Sequence, residues 1–153
     1  MIKIGIDPSG TGTTAIVMYS DNKLIDKMEY KHYDWIKQTD NILYELKQDA
    51  IINIEDCLYT SANASKDRDD LLKVIGAVKY NTEKVSNINW LSPKYTKSVV
   101  KNMENLSKYN DSCLWEFDKD INLTYQYGKG WKYNNEKISN HLRDAIIIVN
   151  YEK

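Results

Sequence analysis

Asp7, Glu55, His141 and Asp144 are the residues of this chain whose types and placing could do chemistry. Asp7 closes a run in which Ile2, Ile4 and Ile6 alternate with Lys3 and Gly5, and Glu55 closes the short apolar run Ala50 to Ile54. An acid at the tip of a strand is aimed by rigid backbone. His141 and Asp144 stand three apart in a segment of helical character, so they share one helix face. Carboxylates converging in this way can hold two divalent cations about 3.5 to 4 Å apart, one activating a water and one stabilising a leaving oxygen, as phosphodiester hydrolysis requires. Magnesium or manganese suits an oxygen-rich set with one imidazole. Each residue has a plainer reading too. Asp7 precedes Pro8-Ser9-Gly10 and could be an Asx-turn acid, Glu55 could be the first solvated residue after a buried strand, and His141 could be structural. Asp144 precedes the apolar run Ala145 to Val149 on a helix that must pack, so an acid there is costly unless paired or metal-bound.

The elements that would position these residues follow from periodicity. Ile2 to Asp7, Thr13 to Tyr19 and Lys23 to Tyr30 read as three antiparallel strands joined by tight turns. From Asp34, a possible N-cap, to Gln48, the residues Trp35, Ile36, Ile42, Leu43 and Leu46 recur at helical spacing. If the strand ending at Glu55 is buried, parallel to the first and its neighbour, Asp7 and Glu55 stand side by side. Ser65 to Lys84 predicts a charged helix with a stripe of Leu71, Leu72, Ile75 and Val78. Ile88 to Leu91 predicts a short strand, and a further helix starts near Ser92 with Pro93 in its first turn. Residues 105 to 133 show no clear period and predict loops or short irregular elements. A last helix is predicted from about Asn134 to Tyr151. The whole is an α/β arrangement, a mixed five-stranded sheet of three antiparallel and two parallel strands with helices on both faces.

The chain's 153 residues suit one domain, 1–153, with a single core. Tyr appears twelve times and Phe once, so much of the aromatic surface carries a polar tip. The net charge of −1 is unevenly spread: residues 79–143 hold eleven Lys or Arg against seven Asp or Glu, and residues 1–78 hold nine against thirteen. Acids engaged by metal would leave a more basic outer surface. Cys57 and Cys113 lie far apart without zinc-ligand spacing, which predicts buried reduced thiols. No apolar run is long enough to span a bilayer and the first residues read as a strand and not a signal, so a cytoplasmic protein is expected.

GIDPSGTGTTAIV at 5–17, NIEDCLY at 53–59 and HLRDAIIIV at 141–149 together resemble the RuvC family of Holliday junction resolvases, and the element order is that of the RNase H fold. The similarity spans most of the chain, and the terminal His-x-x-Asp-Ala is its most discriminating piece. The short length is similar to phage-encoded members, whose site would be the host cytoplasm. The resemblance implies that Asp7, Glu55 and Asp144 bind metal, two Mg2+ or Mn2+ ions per active site, with His141 as a fourth ligand or a group near the attacking water. It implies an endonuclease that cuts four-way junctions and other branched DNA as a homodimer, leaving 5′-phosphate and 3′-hydroxyl ends. Ser9-Gly10 reverses the family's usual order. Where bacterial members carry a stacking aromatic, the third residue after the acid is Leu58 and Tyr59 follows, so Tyr59 is the candidate platform.

For DNA backbone contacts the family's basic stretch points to Lys94 and Lys97, with Lys129, Lys132 and Arg143 near the last helix as further candidates. All would act through phosphates and carry no sequence preference. A solvated helix face is the plain alternative for the two helical lysines. Among rivals, an actin-like or sugar-kinase ATPase needs two lobes that 153 residues cannot hold. An RNase H-type ribonuclease or transposase-like strand cutter would close on an acid with different neighbours. A non-catalytic branched-DNA binding module would not need all four site residues.

Overall fold

The computed structural model describes residues 1–47, 49–57, 65–85 and 87–152. Strands β1 (Ile2–Asp7), β2 (Thr13–Ser20) and β3 (Lys23–Lys31) form an antiparallel meander. The β2–β3 turn places Asp21 and Asn22 at positive φ, 48° and 64°, the two-residue geometry that matches the twist of paired strands. Helix α1 (Trp35–Glu45) and strand β4 (Ala50–Glu55) follow, then helix α2 (Lys66–Asn81), strand β5 (Ile88–Leu91) and helix α3 (Pro93–Tyr109). The first sheet runs β3-β2-β1-β4-β5, with β4 parallel to both β1 and β5. It is the mixed five-stranded sheet that the sequence predicts, with helices on both faces.

Each helix opens on a side chain that accepts a hydrogen bond from an otherwise unpaired N–H: Asp34 from Ile36, Ser65 from Arg68, Ser92 from Lys94, and Ser139 from Leu142 at the head of α4 (Asn140–Val149). Side chains alternate across the sheet, and the two faces differ in kind. Ile4, Ile6, Ile16, Ile52 and Ile54 pack with Ile42 of α1 and with Val74 and Val78 of α2. The opposite face carries Lys3, Gly5 and Asp7 on β1 and Ile51, Asn53 and Glu55 on β4, where α4 packs. A Cβ at Gly5 would lie 2.5 Å from the Ala145 carbonyl oxygen and 2.6 Å from Val149 Cβ. Only glycine lets α4 lie this close to β1. Asn53, buried in mid-strand, donates from Nδ2 to the carbonyls of Ile148 (2.9 Å) and Tyr151 (3.2 Å), pairing open carbonyls at the end of α4.

Several sequence expectations are corrected. Residues 105–133 are not irregular: α3 continues to Tyr109, and β6 (Trp115–Phe117), β7 (Asp120–Gln126) and β8 (Gly130–Tyr133) form, with β9 (Glu136–Lys137), a second antiparallel sheet. β6, β8 and β9 are short, and β7 buries Asp120, Leu123 and Thr124 without strict alternation, so no period builds up. The last helix begins at Asn140 and not near Asn134, because Asn134 and Asn135 form the positive-φ turn between β8 and β9. In α2 the buried stripe is Asp70, Val74, Ile75 and Val78, with Leu72 exposed. Likewise α1 ends at Glu45, buries Gln38, Thr39 and Ile42, and exposes Ile36.

The small sheet covers the face beside α4: Phe117, Leu123, Trp131 and Tyr133 join Ala15, Val17, Tyr19 and the apolar side of α4 in one cluster. Buried within it, the Asp120 carboxylate accepts from the Tyr19 hydroxyl (2.6 Å), the Tyr133 hydroxyl (2.8 Å), and the Asn122 backbone N–H and side-chain amide (3.1 Å each). Burial and the adjoining Asp120 carboxylate raise both phenols, Tyr133 to about 12. Cys57 and Cys113 are half-buried, not fully buried. Among the described residues no helix is long and apolar enough to cross a membrane.

Candidate active site

The parallel pairing of β1 with β4, Ile6 opposite Ile54, sets Asp7 beside Glu55 at the same sheet edge and on the face that α4 covers. The first turns of α4 bring His141 and Asp144 to that edge. His141 Nδ1 lies 3.5 Å from Asp7 Oδ2. The head of α4 is tied to β3, since Ser139, its N-cap, donates its hydroxyl hydrogen to Glu29. The structure thus brings together the four residues that the sequence singles out.

Their electrostatics register this crowding. Burial raises the Asp7 carboxyl to about 6; His141 pulls it down and Asp144 pushes it further up. Glu55 is raised to about 7 by burial, then by the charges of Asp7 and Asp144, with the Thr96 hydroxyl acting the other way. Asp144 is raised by burial against the opposing pull of Arg143. His141 is raised chiefly by its contact with Asp7. Three acids that disfavour one another's charge are an arrangement a cation relieves.

Glu55 Oε2 is buried with no hydrogen-bond partner. An unpaired buried carboxylate oxygen costs about 1 to 3 kcal/mol or more, and a divalent cation would satisfy it. The donor set of three carboxylates and one imidazole therefore fits magnesium or manganese. Among the described residues no three His, Cys, Asp or Glu side chains close into a cage for an ion as they stand. Asp7 is turned toward His141, and Asp144 accepts from Arg143 Nε at 2.8 Å.

A cavity of about 330 Å³ opens beside these acids, and Glu55, Asp144, Lys97, Lys101, Glu104 and Arg143 contribute to its lining. Of the basic candidates, Lys97 and Arg143 line it, whereas Lys94, Lys129 and Lys132 do not. Lys94 is exposed in the first turn of α3, Lys129 is exposed in the β7–β8 turn, and Lys132 is half-buried on β8. Tyr59 lies outside the described residues. Sequence reasoning missed Lys101 and Glu104. Their signal is the spacing 97, 101, 104, which puts all three on one face of α3, but solvated helices carry the same spacing.

No family model and no curated protein matches the sequence. Among solved structures, RuvC of Thermus thermophilus in complex with a Holliday junction substrate is similar over 98% of this chain and 90% of that one, with a TM-score of 0.58 and 15% sequence identity. A second Thermus thermophilus RuvC structure is similar over 98% and 92%, with a TM-score of 0.54 and 12% identity. The chain has the RNase H-like fold of these RuvC structures.

Proposed function

We propose that this chain is a metal-dependent endonuclease of branched DNA, cutting four-way junctions and forks by two-metal phosphodiester hydrolysis to leave 5′-phosphate and 3′-hydroxyl ends. The observation that carries the reading is the set of carboxylates from β1, β4 and α4, buried against their mutual repulsion with one Glu55 oxygen unpaired. The similarity to a RuvC structure bound to a Holliday junction substrate supports the choice of DNA. Asp7, Glu55 and Asp144 would hold the ions. Two Mg2+ or Mn2+ ions, when bound, activate the attacking water and stabilise the leaving oxygen. His141, whose Nδ1 faces Asp7, has Nε2 for the metal or for a proton of the water. Lys97 and Arg143 at the cavity, with Lys94, Lys129 and Lys132 further out, neutralise phosphates, and Tyr59 is the candidate base-stacking residue. Residues 1–153 act as one nuclease domain, paired in a homodimer so that two sites meet two opposed strands. A phage-type member would work in its host's cytoplasm.

The test is nicking of a synthetic four-way junction, a Y-fork, plain duplex DNA and an RNA–DNA hybrid by wild type and by Asp144→Asn, with magnesium, manganese or chelator. The expected result is metal-dependent cleavage of the branched substrates, reduced at least about a hundredfold in the variant, the scale on which loss of one electrostatic group at a reacting centre is felt. Cleavage confined to the hybrid would make it a ribonuclease. Tight junction binding without cleavage in any metal would make it a binding module.

A further inference from the structure

Arg143 is held in an unusual way for a residue next to its partner. Successive residues on a helix do not face each other, yet the guanidinium folds back so that Nε donates to Asp144 Oδ1 at 2.8 Å. Two further contacts fix it there: Nη1 donates to Asn140 Oδ1 at 3.1 Å, and the guanidinium carbon lies 5.2 Å from the centre of the Trp131 ring. Trp131 is itself anchored, its indole N–H directed to Glu104 on α3 at 3.4 Å. The Arg143 side chain is only 12% exposed. The small sheet, α3 and α4 therefore combine to press a cation against one of the proposed metal-binding carboxylates. A divalent ion at Asp144 must compete with this cation.

Resting on the nuclease reading above, we propose that Arg143 is a guard on Asp144: it occupies the carboxylate in the free protein, and a DNA phosphate entering the cavity draws the guanidinium away and frees Asp144 for the divalent cation. The cavity supports this exchange. Lys97 and Lys101 line it together with Arg143, so a phosphate settling there meets positive charge. An arginine has five N–H donors, and two are engaged by Asp144 and Asn140, so donors remain with which to begin the transfer. Metal and DNA then bind cooperatively, each strengthening the other by the same factor. The device keeps the metal-loaded site from forming before substrate arrives.

The experiment is titration of the intact protein with Mn2+, free ion being counted by electron paramagnetic resonance. It is done alone and with a four-way junction of nuclease-resistant linkages, the ion taken up by the junction itself being subtracted. Wild type should bind Mn2+ weakly alone and about tenfold more tightly with the junction, the factor expected if the unguarded form is populated roughly one-tenth of the time. Arg143→Gln should bind Mn2+ about tenfold more tightly without DNA, and the junction should add little. Asn140→Ala, at an exposed position outside the core, should show an intermediate tightening and serves if the arginine variant does not fold. Variants that bind Mn2+ no more tightly than wild type, while Asp144→Asn loses the ion and wild type still cleaves, would sink the guard and leave the nuclease intact. Absence of Mn2+ uptake by wild type and variants, with and without DNA, would remove the nuclease reading and the guard together.

Discussion

Placing Asp7 and Glu55 side by side makes the fold sensitive to pH in a direction opposite to that of proteins whose acids are paired with cations. Both carboxyls titrate higher in the folded chain, Asp7 near 6 against 3.8 and Glu55 near 7 against 4.5. The folded state therefore holds these protons more tightly, and the stability this confers is present at low pH and is lost as pH rises from about 4 to about 7. For Asp7 the loss is roughly 3 kcal/mol by the 1.36 kcal/mol per unit rule, and the Glu55 share overlaps with it because the two interact. The raised His141 has the same sign, its contribution fading as pH rises through its folded value. Metal-free protein is expected to melt lower at pH 8 than at pH 5.5, and saturating Mg2+ should narrow the gap; a thermal melt at both pH values checks it. Glu55→Gln removes the charge that Asp7 and Asp144 oppose. It should abolish cleavage and raise the metal-free melting temperature at pH 8 by about 2 to 4 °C per kcal/mol relieved; an unchanged or lower value would contradict the repulsion. These site acids are legible in the sequence because strand tips and a helix face locate them. Glu104 is not, since an acid on a charged helix has no mark until Trp131, 27 residues on, is found against it.

Element by element, α4 is fixed at both ends, by Glu29 through Ser139 at its head and by Asn53 at its tail, and Gly5 sets its height over β1. Gly5→Ala should destabilise the protein by about 1 to 3 kcal/mol or more, because the atoms it strikes are backbone and a Cβ fixed to it, which cannot rotate aside. The small sheet depends on Asp120. Asp120→Ala strands two buried phenols and should cost about 3 kcal/mol in urea unfolding, whereas Tyr133→Phe, which leaves the carboxylate three donors, should cost about 1 kcal/mol. The central five strands were readable because β-branched runs and isoleucine alternation persist over six or more residues in β1 and β2. The second sheet was not. β6 and β9 are three and two residues long, and the tie that holds the sheet, Tyr19 to Asp120, joins positions 101 apart. No local pattern encodes such a contact. The start of α4 is hidden in the sequence for a related reason: Asn134-Asn135 carries hairpin-turn chemistry that helical periodicity alone passes over.

At the scale of the whole molecule, a net charge of −1 means that the proposed DNA binding has to rest on a few placed cations and not on a general field. Lys97 lines the cavity beside Glu55, so Lys97→Ala should lower the salt dependence of junction binding by about 0.9 in the log–log slope, the share of one phosphate contact. Lys84→Ala, in the short connection between α2 and β5, should leave the slope unchanged. Binding isotherms at four or five salt concentrations measure both. The placement of α4 also has a meaning for how the molecule comes into being. β1 is made well over a hundred residues before α4 is complete, yet α4 lies directly on β1. A chain still on the ribosome has Asp7 and Glu55 but neither His141 nor Asp144, and its Val17 and Tyr19 await their cover. Distant pairing of this kind is slow to form and open to aggregation while it waits. On the nuclease reading, no fragment that stops short of residue 140 can cut DNA: the destructive activity waits until α4 has been made, and a copy terminated before it is harmless.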